Sequence, residues 1–240
     1  MGVPSLSFSA PLLAIEASTT AGSVAVWSDG ALVAHEAVLM GAGQDDRLFP
    51  AIQRVLHAAR LEPRALETVV CGAGPGSFTS LRIAGALAKG LAHGSGAALF
   101  AVPSLLIAAA SITPWPAEAI DGGLVVHADA LRGERYVLPV RTDASGLVCA
   151  AGPLARVAGA VLAESVPSYR RVGVLTSPFA DEVPTVTPGV QHLARAGGAW
   201  REQPVSLDAW EPEYGRLAEA QVKWEERFGM ALPDMPAVRG

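Results

Sequence analysis

Apolar and polar positions along the chain fall into stretches that separate strands from helices. Leu12–Ala17 is a short apolar run that reads as a buried strand. Strands follow at Ser23–Trp27 and Ala31–Leu39, with Ser28, Asp29 and Gly30 turning between them. This predicts an antiparallel meander. From Asp46 the apolar positions Leu48, Ile52, Val55, Leu56 and Ala59 recur at helical spacing, and Pro50 is tolerable in a first turn, so a first helix is expected over Asp46–Ala59. Thr68–Gly72 predicts a strand and Gly72–Ser77 a glycine-rich turn. Thr79 or Ser80 is a plausible cap for a second helix at Leu81–His93. A strand at Ala98–Val102 and a third helix at Ser104–Ser111 complete the first half.

Thr113, Pro114, Trp115 and Pro116 break every regular pattern and mark a lobe boundary. Beyond them, Leu124–Asp129 and Arg135–Val140 read as strands joined across Gly133, Ala155–Leu162 as a helix and Arg171–Leu175 as a strand. After Pro212, Leu217, Ala220, Trp224 and Phe228 recur at helical spacing, an amphipathic helix expected to dock on the first lobe. The division expected is therefore a first lobe over 1–112, a smaller one over 113–212, and a terminal helix and tail over 213–240. No repeat at a fixed period is visible. This α/β order, three strands, helix, strand, helix, strand, helix and then a reduced mixed half, is that of actin-like ATPase domains; order alone leaves other α/β folds open.

Half of the residues are hydrophobic, only 17% are charged and the mean hydropathy is +0.33. That balance argues against disorder and for apolar surface that a partner covers. The run Leu99–Ala110 is interrupted by Pro103 and Ser104 and is too short to cross a bilayer. Met1–Ser9 carries no positive charge and leads into a strand, so no secretory signal is expected and a cytoplasmic location is. Cys71 and Cys149 lack metal-like spacing and read as reduced thiols. A net charge of −5 disfavours autonomous binding to a phosphate backbone, so contact with RNA would be indirect.

Four places could carry chemistry. The stretch CGAGPGSFTSLRIAGALAKGLA, Cys71–Ala92, has the strand–turn–helix form that cradles phosphate, but no lysine follows the glycines and GxGxxG spacing fails. Ser77 directly follows Gly76, unlike a nucleophile elbow. The helix itself is nearly all Leu, Ile, Ala and Gly, with Arg82 and Lys89 on one stripe. Gly85 and Gly90 each cost about 1 kcal/mol in a helix interior, a cost that close backbone approach would offset. Burial within the chain and a subunit interface both fit. At the end of the first strand, Glu16 is followed by Ala17, Ser18 and Thr19, with no glycine before Gly22, which disfavours a phosphate turn. The histidines His35, His57, His93, His127 and His192 never pair at metal-binding spacing. Asp129, Gly133, Glu134 and Tyr136 gather at a hairpin, where turn capping outweighs acid–base work.

The stretches LAIEAST, SVAVWSDG and above all GPGSFTSLR followed by AKGLA closely resemble the TsaB (YeaZ) family, and so do DALRGERY (Asp129–Tyr136) and EPEYGR (Glu211–Arg216). Glu16 stands where that family usually has aspartate, Gln44 where histidine is common, and Ser80 where glycine follows GPGSFT. The resemblance implies a two-lobed actin-like (ribonuclease H-like) fold with a degenerate nucleotide site, no catalytic residue, no cofactor and no metal. It implies a scaffold that binds TsaD, the subunit transferring the threonylcarbamoyl group to tRNA adenosine, with TsaE joining them and a homodimer forming alone. The implied interface comprises Leu48, Ile52, Gly74, Pro75, Gly76, Ser77, Phe78, Thr79, Leu81, Arg82, Gly85, Ala86 and Lys89. The competing readings are an actin-like small-molecule kinase or ATPase and, more weakly, a peptidase-like hydrolase.

Overall fold

The computed structural model describes residues 5–40, 47–119, 123–174, 184–214 and 227. Two sheets form its frame. β1 (Leu12–Glu16), β2 (Ala21–Ser28) and β3 (Ala31–Leu39) make the expected antiparallel meander, and β4 (Thr68–Gly72) and β5 (Ala98–Val102) add to it in parallel, in the order β3-β2-β1-β4-β5. β1 and β4 are buried on both faces, which is why they read as unbroken apolar runs. In the second sheet, β6 (Leu124–Asp129), β7 (Glu134–Thr142) and β8 (Val148–Ala150) form another antiparallel meander. β10 (Arg171–Val174) and β11 (Thr185–Val186) continue it in parallel, in the order β8-β7-β6-β10-β11. The two orders are the same. A ribonuclease H-like sheet is built twice, and the fold is the two-lobed, actin-like α/β architecture.

α1 (Leu48–Ala58) and α2 (Phe78–Ser95) cover one face of the first sheet, and their buried residues share a core with Leu13, Ile15, Val24, Val26 and Val69. α3 (Ser104–Ala110) is buried at every position and lies between the sheets, within a core that joins Leu12, Ala25 and Val70 of the first to Val126, Leu138 and Val172 of the second. Arg195 closes its C-terminal end by donating from Nη1 to the carbonyls of Ala110 and Ile112, at 2.7 and 2.8 Å.

One expected element changes type. Ala155–Leu162 is not one helix: β9 (Ala155–Ala158) pairs antiparallel with β7, and α4 (Gly159–Ser165) starts after it. Strand pairing overrides an apolar spacing that suited either state. The segment assigned to the second lobe up to residue 212 also returns to the first lobe earlier. Val205 donates its N–H to Leu99 O at 2.7 Å, and Glu213 donates to Ala73 O at 2.7 Å. Arg201 anchors this return, its guanidinium over the rings of Phe8 and Trp200 at 5.3 and 5.5 Å. Asp46, Gln44, Leu175 and the helical positions Leu217, Ala220, Trp224 and Phe228 lie outside the described residues.

Candidate functional site

At the end of β1 the Glu16 side chain is completely buried. Its Oε1 accepts the Ser18 N–H at 2.5 Å and its Oε2 accepts the Ser104 hydroxyl at 2.8 Å. Ser104 Oγ in turn accepts the Gly74 N–H at 3.0 Å. Gly72 makes room for this arrangement, since a Cβ there would stand 1.9 Å from Glu16 Oε2. Burial pushes the Glu16 carboxyl above its ordinary value, against the hydrogen bonds from Ser18 and Ser104 that favour the charged form. The neighbouring Cys71 thiol is pushed up by burial and by the Glu16 charge, which leaves it unreactive.

The glycine-rich turn is spoken for in the same way. Ala73 N–H bonds Val102 O at 2.7 Å, Gly74 N–H bonds Ser104, and Ser77 N–H bonds Ser18 O at 2.8 Å. A phosphate held by such a turn is bound by free backbone N–H groups; these three are consumed by the fold. Above them a cleft of about 210 Å³ separates the lobes, lined by Ser18, Thr19 and Ser77 on one side and Asp129, Tyr136 and Pro188 on the other. Asp129 accepts the Leu131 N–H at 3.0 Å and pairs with Arg135 at 3.2 Å, while Glu134 pairs with Arg156 at 3.3 Å. The two carboxylates of the hairpin serve separate ion pairs. Among the described residues no group of three or more His, Cys, Asp or Glu side chains is placed to hold a metal ion, and no helix is long and apolar enough to cross a membrane.

The residues expected at an interface divide into two sets. Leu48, Ile52, Gly74, Pro75, Leu81 and Gly85 are covered by the chain itself. Thr79, Arg82 and Ala86 are exposed, and Gly76, Ser77, Phe78 and Lys89 are half-buried. Gly85 does permit close backbone approach, but what approaches is the return segment: a Cβ there would meet Pro212 Cγ at 3.0 Å. Around the N-terminal turn of α2, the Tyr214 ring rests on Phe78 with centroids 4.6 Å apart, and the Arg82 guanidinium lies 5.4 Å from the Phe78 centroid. Gly90 differs from Gly85. It faces open space, on an exposed strip with Arg82, Ala86 and His93. Phe49 of α1 adds an aromatic side chain that is 48% exposed. Trp210, Pro212 and Tyr214 carry no periodic signal that would have placed them on α2. Ser104, the partner of Glu16, has only its position at the start of a helix to mark it.

A family model described as TsaD, tRNA N6-adenosine threonylcarbamoyltransferase, matches residues 44–167, just over half of the sequence. A protein of Escherichia coli K12, tRNA threonylcarbamoyladenosine biosynthesis protein TsaB, is 32% identical over 57% of this chain and 57% of its own length. The protein of the same name from Bacillus subtilis 168 is 26% identical over 90% of this chain and 98% of its own. The chain belongs to the TsaB (YeaZ) family. The structure agrees: YeaZ from Pseudomonas aeruginosa superposes with a TM-score of 0.69 at 26% identity, covering 85% of this chain and 99% of that one. The enclosed Glu16 is thus the form taken in this TsaB-family chain by the turn that ends the first strand.

Proposed function

We propose that this chain is an accessory subunit in the biosynthesis of threonylcarbamoyladenosine in tRNA, one that binds and activates TsaD rather than carrying out the transfer. The observation that carries this reading is the consumption of the nucleotide turn. In actin-like kinases the corresponding turn holds an aspartate and a free glycine backbone for the phosphates. Here Glu16 is enclosed by Ser18, Ser104 and Gly72, and the N–H groups of Ala73, Gly74 and Ser77 are bonded within the chain. The names of the E. coli and B. subtilis relatives supply the pathway.

The partner face in this reading is the exposed strip of α1 and α2, with Phe49, Arg82, Ala86 and Gly90 at its surface and Leu48, Ile52, Leu81 and Gly85 supporting it from below. The same strip serves a homodimer when TsaD is absent, and TsaE joins the assembled pair. With a net charge of −5 the chain meets tRNA only through the complex, in the cytoplasm.

Co-expression with TsaD followed by size-exclusion chromatography tests the reading, and co-elution is the expected result. Isothermal titration with magnesium and ATP is expected to give no heat of binding. A micromolar dissociation constant together with nucleotide turnover would overturn the accessory role in favour of an actin-like kinase or ATPase.

A further inference from the structure

Strands alternate their side chains, so the second sheet has two faces. Leu124, Val126, Tyr136, Leu138, Val140 and Val172 point into the core around α3. The alternate row on the other face is mixed, with Val125, Val137 and Pro139 among its residues. It holds His127 and Asp129 on β6, Arg135 on β7 and Arg171 on β10. Asp129 stands directly opposite Arg135 in the β6–β7 register and His127 opposite Val137. On the other side His127 faces Gly173, and Arg171 faces Val125. Arg135 and Arg171 therefore occupy the diagonal positions on either side of His127. Diagonal neighbours on adjacent strands lie about 7–8 Å apart, within reach of long side chains.

His127 is only 2% exposed, and neither ring nitrogen has a hydrogen-bond partner. The buried Nε of Arg171 lacks one too, as does that of Arg170 at the half-buried rim. A buried donor or acceptor left unpaired costs about 1–3 kcal/mol, so unpaired groups clustered on one face call for an occupant. The occupant's charge follows from the neighbours. The Arg171 guanidinium beside the imidazole repels a cation, and the acidic residue of the row, Asp129, is already bound to Arg135 at 3.2 Å. An acceptor carrying several oxygens satisfies an imidazole N–H and a guanidinium together, with charge-assisted bonds.

We propose that the outer face of the second sheet binds a small oxyanion of the phosphate class between His127 and Arg171. The site lies away from α1 and α2 and does not depend on the role proposed above.

Inorganic phosphate is the probe, titrated into the full chain at neutral pH against sodium chloride of equal ionic strength. A saturable rise in melting temperature with phosphate alone is expected, together with movement of the His127 imidazole signals in NMR spectra. A mononucleotide titrated in parallel separates a free anion from a phosphate carried by a larger ligand: stronger movement of the same signals assigns the site to the latter. Arg171→Met removes one charged donor and should weaken phosphate binding about tenfold with the melt in chloride unchanged. Should that variant fold poorly, Arg171→Lys keeps the charge without the planar fork and should still lose affinity. Equal melts in phosphate and chloride with unmoved His127 signals would mean that water alone satisfies the imidazole, and the proposal would fall. It would fall equally if phosphate stabilised wild type and the Arg171 variants alike.

Discussion

Ser104 donates its hydroxyl to the Glu16 carboxylate at 2.8 Å, joining residues 88 apart in sequence. The bond ties the end of β1 to the start of α3, the helix that lies between the two sheets. The titration of Glu16 gives the first prediction. Burial raises the folded carboxyl above its ordinary 4.5, so the unfolded chain ionises first as pH rises. The stabilisation is complete below about 4.5 and is lost as pH climbs through the raised folded value. Glu16→Gln should therefore gain stability relative to wild type between pH 4.5 and neutrality. Urea melts across that range check it, and parallel curves would refute it.

His127 gives the opposite slope. Burial first, then Arg135 and Arg171, lower its pKa from 6.5 to about 4. The folded chain resists a proton that the unfolded chain accepts, so this stabilisation is full above 6.5 and is lost as pH falls toward 4. His127→Gln should flatten the acid limb of the stability curve in chloride buffer. His192 is shifted the same way and remains in both proteins, so the difference between them isolates His127.

Two alanines in one helix separate partner contact from folding. Ala86 is exposed, whereas Ala88 is wholly buried against the first sheet. Ala86→Arg should fold with an unchanged circular dichroism spectrum yet run as a monomer and fail to co-elute with TsaD, because a large charge must be desolvated at a dry contact. Ala88→Arg should not fold at all. An Ala86→Arg protein that still dimerises and still binds TsaD would remove α2 from the interface.

Pro212 stands 3.0 Å from where a Cβ on Gly85 would lie. Alanine there gains helix propensity while pressing on the proline, and leucine overfills the contact. Gly85→Leu is expected to lift the return segment and cost about 1–3 kcal/mol, with a change in Trp210 fluorescence that a mutation on the open side of the helix, Gly90→Leu, does not produce.

The first lobe was legible because its strands are apolar runs bounded by polar turns such as Ser28–Gly30, and because Leu48, Ile52 and Val55 keep helical spacing on a helix with one buried side. The second lobe was less so. β8 and β11 span three and two residues, too short for any periodicity, and ARVAGAVL reads as helix until pairing with β7 claims its first four residues. The duplicated strand order left no repeat in the sequence, since sheet topology constrains burial and register rather than residue identity. At the site, the sequence shows Glu16 only as a polar residue closing a tight strand end. The partner that buries it, Ser104, is joined to it only in three dimensions. Gly85 in the sequence marks a place of close approach, but nothing local identifies Pro212 rather than another helix as what approaches.

The two margins of the first sheet differ. Along β5 the return segment runs past and Val205 donates to the carbonyl of Leu99, while β3 at the other margin pairs with no further strand among the described residues and exposes Leu32, Val33 and Leu39. Fibrous growth by strand addition needs a donor margin and an acceptor margin on every molecule. Strand addition along β5 has first to displace the Val205 bond, whereas β3 meeting β3 of a second copy is a contact that closes on itself. The return segment thus stands in the way of end-to-end growth of the first sheet.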